Sequence, residues 1–444
     1  MDLIVAVDKH LGMGYRNALP WHCAEELKLF RTKTMGSVLV MGYNTVMNIP
    51  HLPGRQIYCI TKPLPTKPMD LTNDVIFIEN INEFTCSSKM FVAGGKRTYE
   101  QILPRVDTIH LSRLKAHYVC DTFFESSWLD NFVVVEETHH EEFTHQVLKR
   151  TRHGERQYLD LIGKILTDGE TTVGRNGPTR SLFVEHMTWD LRQGFPLLTT
   201  KKMFLRGIVE EFLFFIRGDT DAKILSDKRI NIWNGNTSRE FIDSRNLSYA
   251  EGIMGPMYGY QWRRFGAPYT IGDDNRPLPP IPGVGVDQLA QVIDLIKNDP
   301  TSRRILLTTY NPAQADEGVL YPCHSITVQF SVRNNYLDMF CFNRSQDTFL
   351  GVPYNIASSA LLLMSVAKLS GTIPRYLNMT MGDTHLYSSH LENAKEQMER
   401  VPYKLPTLII PEMDSLEDLE RVSFVDFKLE KYIAHPTIKA TMVV

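Results

Sequence analysis

Along the first third of the chain, short runs rich in apolar and β-branched residues recur: Leu3 to Val7, Ser37 to Met41, Gln56 to Thr61, Val75 to Ile78, Met90 to Ala93 and Thr108 to Leu111. Segments of helical or loop character separate them. This pattern predicts an α/β unit with a mainly parallel mixed sheet, helices on its faces and an antiparallel hairpin, Asn131 to Glu136 with Phe143 to Leu148, at one edge. Further on the period changes. Gln157 to Leu166 reads as a helix, Thr172 to Ser181 as a loop carrying Arg175 and Arg180, and Phe204 to Arg217 as a buried helix with Ile208, Phe212, Phe215 and Ile216 at helical spacing. Asp287 to Lys297 turns Leu289, Val292, Ile293 and Ile296 to one side, and Asn298-Asp299-Pro300 stops it. From His324 to Val332 the residues Ile326, Val328, Phe330 and Val332 alternate with more polar ones, and Tyr336 to Arg344 reads as the returning strand of a hairpin. A helix from Ile356 to Leu369 follows.

At 444 residues and 43% hydrophobic content the chain is long enough for two or three domains, each with its own core. Its net charge of −3 gives no global attraction to nucleic acid or to an anionic membrane, so any anion must be held by local arginine clusters. The cysteines Cys23, Cys59, Cys86, Cys120, Cys323 and Cys341 lack C-x-x-C or zinc spacing, which fits a reducing, cytoplasmic compartment. The histidines, His139-His140 included, show no ligand spacing, and no metal is expected. Met1 to Asp8 reads as a first strand rather than a signal peptide, and the apolar run Ser358 to Leu369 reads as too short to span a bilayer. The charged run Lys149 to Arg156 reads as a solvated connector, dividing the chain into residues 1–150 and 157–444 with a short linker at 151–156. The Pro-rich Arg276 to Gly283 reads as a surface loop within the second domain.

Candidate chemistry centres on Leu320-Tyr321-Pro322-Cys323-His324-Ser325. Only a thiolate attacks, so a reactive cysteine needs positive charge or a base nearby. His324 is adjacent, and the predicted hairpin brings Arg344 close enough to stabilise a thiolate and to grip an anion. An isolated cysteine is more often simply buried. The surrounding text decides otherwise: Pro322-Cys323-His324, Asn343-Arg344-Ser345-Gln346-Asp347, Gly351-Val352-Pro353-Tyr354-Asn355-Ile356-Ala357-Ser358 and Gly382-Asp383-Thr384-His385-Leu386-Tyr387 follow in one order at close spacing. From about His153 to the C-terminus the chain closely resembles thymidylate synthase, which implies an α+β domain with a large mixed sheet.

That resemblance implies roles residue by residue. Cys323 attacks C6 of dUMP, Glu211 relays a proton near the uracil O4, and Tyr258 aids abstraction of the C5 proton. Glu211 also lies on the apolar stripe of its helix, where a raised pKa suits proton transfer and a paired structural role is the plain alternative. Arg175, Arg344 and Ser345, with Arg303 and Arg304 supplied across a homodimer interface, form a phosphate cage of forked donors. His324, Asp347 and Asn355 also bind dUMP, with Asn355 matching N3–H and O4 of uracil or else serving as a helix N-cap. His385 and Tyr387, two apart on a strand, bind the deoxyribose 3′-OH. Trp233 and Asp347 meet the folate. Asn234 stands where relatives commonly have Asp, and Asn343 where they have Gln; these polar swaps leave the details of folate and phosphate binding open, but not the reaction.

In the first domain Val40-Met41-Gly42-Tyr43-Asn44-Thr45 and Phe91-Val92-Ala93-Gly94-Gly95-Lys96-Arg97-Thr98-Tyr99 are strand-to-helix turns on one side of the sheet, suited to backbone approach to a pyrophosphate or to plain tight turns. Glu26 shares a helix face with Cys23 and Phe30, where a carboxylate needs a partner such as an amidine-like ligand edge. With Leu19-Pro20-Trp21, Leu52-Pro53-Gly54-Arg55 and Tyr99 in order, Met1 to Arg150 resembles dihydrofolate reductase. The resemblance implies NADPH as hydride donor and dihydrofolate as acceptor. Glu26 holds the pterin and assists protonation at N5, Leu27 and Phe30 wall the pocket, Arg55 pairs with the glutamate tail, and Ser112 hydrogen-bonds the acid. Ala6, Leu19, Gly42, Thr45, Thr61, Lys62, Gly94, Gly95, Lys96 and Tyr99 border the cofactor. Tyr43 or Asn44 stands where many relatives carry a basic residue, and the loop Gly12 to Ala18 is unusually spaced, so Arg16, Lys96 or Arg97 is expected to compensate.

Both resemblances together imply a bifunctional dihydrofolate reductase–thymidylate synthase that makes dTMP from dUMP and 5,10-methylenetetrahydrofolate and reduces the dihydrofolate released. The alternative is a synthase whose N-terminal domain is a noncatalytic binding module.

Overall fold

A computed structural model describes residues 1–65, 73–80, 89–129, 132–150, 154–174, 176–400 and 402–443. The chain divides into two compact units, Met1–Thr151 and Arg152–Val444.

The first unit runs β1 (Asp2–Val7), β2 (Gly12–Gly14), α1 (Ala24–Thr34), β3 (Val38–Gly42), α2 (Tyr43–Asn48), β4 (Gln56–Ile60), β5 (Val75–Ile78), β6 (Met90–Val92), α3 (Lys96–Ile102), β7 (Thr108–Leu114), β8 (Thr122–Phe123), β9 (Phe132–His139) and β10 (Phe143–Arg150). Its main sheet has the order β5-β4-β3-β6-β1-β7-β10-β9. The strands from β5 to β7 are parallel, and β10 and β9 join antiparallel. Leu3, Val5, Val40, Val92 and Leu111 pack on one face and Ile4, Leu39, Met41, Ile57 and Phe91 on the other. A sheet buried on both faces needs near-continuous apolar strands, which is why these short runs stand out in the sequence.

The second unit comprises α4 (Arg156–Asp168), β11 (Glu170–Gly174), β12 (Gly177–Asp190), α5 (Leu205–Arg217), α6 (Lys223–Ser226), α7 (Arg239–Ser244), α8 (Gly259–Arg264), α9 (Gln288–Asn298), β13 (Leu306–Thr308), β14 (Thr327–Arg333), β15 (Tyr336–Asp347), α10 (Gly351–Ser370), β16 (Ile373–Tyr387), α11 (Leu391–Met398), β17 (Thr407–Ile409), α12 (Leu416–Arg421) and β18 (Lys428–Glu430). Its large sheet has the order β11-β12-β16-β15-β14-β13, parallel at β15–β16 and antiparallel elsewhere. The buried helices α5 and α10 share one core with the inward residues of β14, β15 and β16.

Several expectations are corrected here. Residues 172–174 and 177–181 are strand rather than loop: β11 and β12 form a hairpin, and β12 pairs along β16. Every residue of β11 is exposed, so no apolar alternation marks it. The helix expected from Ile356 starts at Gly351, with Pro353 in its first turn, where a missing N–H is tolerated. Asn355 therefore lies inside α10 and is no N-cap; Asp347 Oδ1 instead accepts from the N–H groups of Phe349 and Leu350 at 2.9 and 3.1 Å. At 20 residues α10 is long and apolar enough to cross a membrane, but 78% of its most apolar window is buried, which makes it a core helix. Within the charged run, residues 151–153 lie outside the described residues. Glu155 is not solvated: it is buried and accepts from the backbone N–H groups and hydroxyls of Thr199 and Thr200. The Pro-rich segment is an exposed loop within the second unit, with Ile281 65% exposed.

Candidate functional site

Cys323 sits in the loop leading into β14, tied to the far end of β15. Its carbonyl accepts from the N–H groups of Arg344 and Ser345 at 2.8 and 3.2 Å. Two residues on, Ser325 adopts a left-handed φ of 51°. Its N–H donates to Asn343 Oδ1 at 2.8 Å, and its carbonyl accepts from Thr309 Oγ1 at 2.5 Å. The loop is thus held from two strands. Asn343 follows Leu337, Met339 and Cys341 in the inward set of β15 and is fully buried, so it braces the loop.

The Cys323 sulfur faces Tyr258 Oη at 3.4 Å, and the same hydroxyl accepts from Cys323 N–H at 3.2 Å. Tyr258 has a φ of 41° at the start of α8. A Cβ on the next residue, Gly259, would lie 2.1 Å from Phe215 O, so only glycine lets α8 rest on the backbone of α5. His324 stacks on Tyr258 with centroids 4.5 Å apart, and burial pushes its imidazole down to about 4, so near neutral pH it is uncharged. Burial also raises the Cys323 thiol, outweighing the Tyr258 hydrogen bond and then the Arg344 charge. The Arg344 charge thus acts on the thiol in the expected direction, but burial outweighs it. Arg344 Nε is bonded to Pro322 O at 3.2 Å.

On α5, Glu211 accepts from Trp233 Nε1 at 2.8 Å. Burial lifts its carboxyl to about 7, against the lowering effect of that bond. Asn355 Nδ2 donates to Gln346 Oε1 at 2.9 Å, and Gln346 Nε2 donates to Ser345 O at 2.9 Å. Gln346 was not singled out in the sequence, although a carboxamide buried at the end of a mostly apolar strand is a signal. His385 Nδ1 and Asp383 Oδ1 are 2.6 Å apart, and the His385 and Tyr387 rings meet edge-on at 5.1 Å. Arg303 and Arg304 are exposed before β13. Arg175 lies outside the described residues. Asn234 Nδ2 donates to Asn231 Oδ1 at 3.3 Å.

In the first unit Glu26 is 5% exposed on α1. Burial raises its carboxyl, opposed by a hydrogen bond from Ser112 on β7. Arg55 stands 5.9 Å over the Phe30 ring and donates to Thr34 Oγ1 at 3.3 Å. Its Nε is buried without a partner among the described residues, as is Trp21 Nε1. Buried donors left open suit an acceptor supplied by a ligand. Leu19 and Leu27 are exposed.

The two strand-to-helix turns meet: Gly42 N–H donates to Gly94 O at 2.9 Å, and the Gly94–Gly95 peptide is cis. A Cβ at Gly42 would lie 2.6 Å from Thr98 Oγ1, and one at Gly95 would lie 3.0 Å from Thr45 Oγ1. This cradle leaves bare backbone at the starts of α2 and α3, which fits a pyrophosphate. Ala6 lies half-buried on β1, and Thr61 and Lys62 follow β4, with Lys62 paired to Glu79 at 3.5 Å. Tyr99 Oη donates to Ile4 O at 2.8 Å. Lys96 is ion-paired with Glu125. Arg16 lies 5.1 Å over the Tyr15 ring.

The dihydrofolate reductase family profile matches residues 1–153, and the thymidylate synthase profile matches residues 156–444. The chain is 38% identical to a bifunctional dihydrofolate reductase–thymidylate synthase of Paramecium tetraurelia, covering 100% of this chain and 98% of that protein. It is 35% identical to one of Zea mays over 100% and 96%, and 34% identical to one of Leishmania major over 100% and 95%. With both domain profiles and whole-length relatives in agreement, this chain belongs to the bifunctional dihydrofolate reductase–thymidylate synthase family.

Proposed function

We propose that Cys323 and Glu26 carry the two activities of this family in this chain. The single observation behind that reading is the contact of Cys323 Sγ with Tyr258 Oη at 3.4 Å, and the burial of Glu26 on its helix supports the second half. In the synthase reaction, which converts dUMP and 5,10-methylenetetrahydrofolate to dTMP and dihydrofolate, Cys323 adds through sulfur to C6 of dUMP. Tyr258 takes up the thiol hydrogen bond and stands ready at the C5 proton. Glu211, able to hold or release a proton near neutral pH, serves the uracil O4. Asn355 offers Oδ1 to N3–H and its second Nδ2 proton to O4. His385 and Tyr387 address the 3′-OH, and Trp233 and Asp347 border the folate. Arg175, Arg344 and Ser345, with Arg303 and Arg304 of the partner subunit, hold the phosphate in a homodimer. The exposure of Arg303 and Arg304 supports that division.

In the reductase reaction NADPH supplies the hydride. Glu26 orients the pterin and favours its protonation at N5, Leu27 and Phe30 flank it, and Arg55 receives the glutamate carboxylate. Gly42, Thr45, Gly94 and Gly95 cradle the pyrophosphate, with Ala6, Leu19, Thr61, Lys62, Lys96 and Tyr99 around the rest. We take residues 1–150 as the reductase, 157–444 as the synthase, and the cytoplasm as the compartment. A paired assay tests the reading. Cys323→Ser should abolish dTMP formation while NADPH oxidation on added dihydrofolate persists, and Glu26→Gln should do the reverse; loss of both activities in either variant overturns it.

A further inference from the structure

Behind Glu26 the first unit holds a column of buried polar side chains that the reductase reading leaves unused. His145 on β10 sits directly opposite Ser112 on β7. His110 lies two residues before Ser112, so all three share one face of the sheet. Ser112, His145 and His110 are 2%, 4% and 6% exposed. The Ser112 hydroxyl lowers the Glu26 carboxyl, and its Oγ lies 3.5 Å from His145 Nδ1. The His145 ring stacks on His110 with centroids 5.7 Å apart and planes at 10°, and His110 Nε2 reaches Asp2 Oδ2 at 3.6 Å. His145 Nε2 and His110 Nδ1 are buried with no partner among the described residues.

This arrangement selects a tautomer. Burial pushes His145 down to about 4, so near pH 7 its ring is neutral and carries one N–H. A proton on Nε2 would be a buried donor without an acceptor. A proton on Nδ1 is taken up by Ser112, and only a ring lone pair is left unpaired, the less costly exception. Ser112 then accepts from His145, and its single hydroxyl proton is left for Glu26.

We propose that His145 is a positioning residue of the reductase site: by donating from Nδ1 to Ser112 Oγ it commits the Ser112 hydroxyl as a donor to the Glu26 carboxylate. The proposal rests on the reading of Glu26 as the reductase acid. A committed donor favours the carboxylate over the carboxylic acid, so His145 works against the burial of Glu26. Other titratable groups also face this column. The Glu26 charge raises both Cys23 and Tyr99, the Glu26 backbone N–H also bonds the Cys23 sulfur, and Tyr99 Oη is committed to Ile4 O. Lys33 and His140 act on His145, and His140 is itself paired with Glu25 at 2.8 Å.

The test is the pH dependence of hydride transfer in the full-length enzyme, whose rate falls on the alkaline side as Glu26 loses its proton. His145→Phe should move that limb up by about one pH unit, the size of one buried hydrogen bond. Ser112→Ala should move it as far, and the double variant no further than either single one. His145→Asn, which returns a donor near the Nδ1 position, should bring the limb back toward the wild-type position. A merely structural His145 would lower stability in all its variants and leave the limb in place, which overturns the proposal. Because His145→Phe could fail to fold, the 15N shifts of the imidazole in the unaltered protein give a second reading. They should report Nδ1–H, and an Nε2–H tautomer overturns the proposal. A wild-type enzyme that oxidises no NADPH, or a limb indifferent to Glu26→Gln, would instead sink the reductase assignment beneath it.

Discussion

Trp233 Nε1 donates to Glu211 Oε1 at 2.8 Å inside a helix face that is otherwise hydrocarbon. The bond favours the carboxylate and burial disfavours it, and burial wins, leaving the group at about 7 rather than 4.5. Trp233→Phe removes the opposing bond. It should raise the Glu211 pKa further and move the corresponding limb of the synthase pH–rate profile upward, as steady-state rates across pH would show.

The same shift couples to stability. The folded pKa lies above the unfolded one, so the contribution of the neutral carboxyl is complete below about pH 4.5 and fades as pH rises through about 7. It is on the order of 3 kcal/mol for such a shift. Glu211→Gln should flatten that part of the stability–pH curve in urea unfolding of the full chain and depress synthase turnover.

Tyr258→Phe deletes the hydroxyl that faces Cys323 at 3.4 Å. That hydroxyl lowers the thiol pKa, so without it the thiol should ionise later and react more slowly with iodoacetamide at pH 7. Alkylation rates across pH measure the change. A wild-type rate would mean that the hydroxyl does nothing for the thiol.

Asn343→Leu keeps the branched outline of the side chain but removes the acceptor of Ser325 N–H, bonded at 2.8 Å. An unpaired buried donor costs about 1–3 kcal/mol. The variant should lose that much stability and much of its synthase kcat, while reductase activity on added dihydrofolate serves as the unchanged control.

If Arg303 and Arg304 serve the neighbouring subunit, chains carrying Cys323→Ser mixed with chains carrying Arg303→Ala should regain synthase activity that neither has alone. Active-site titration of the mixture after subunit exchange checks this, and no recovery would argue against a shared site.

Much of this enzyme was legible in one dimension. Strands buried on both faces announce themselves as continuous apolar runs, and with the apolar edge strand β5 six of the strands of the first unit emerge from residue pattern alone. The inward stripe of α5 likewise places Glu211 among Ile208, Phe212 and Phe215. The β11–β12 hairpin escaped because exposed residues carry no burial period, and its strands are fixed instead by backbone pairing to β16.

Residue type and order along the chain determined which groups could react: a thiol beside Pro322 and His324, a glutamate on each of two apolar helix faces, and paired glycines after a strand. Only the folded structure decided how those groups are tuned. Tyr258 meets Cys323 across 65 residues, and Ser112 meets His145 across 33. Periodicity registers neighbours within a turn or along a strand, whereas the pKa of a buried group is set by desolvation and by whatever distant side chain the fold carries to it.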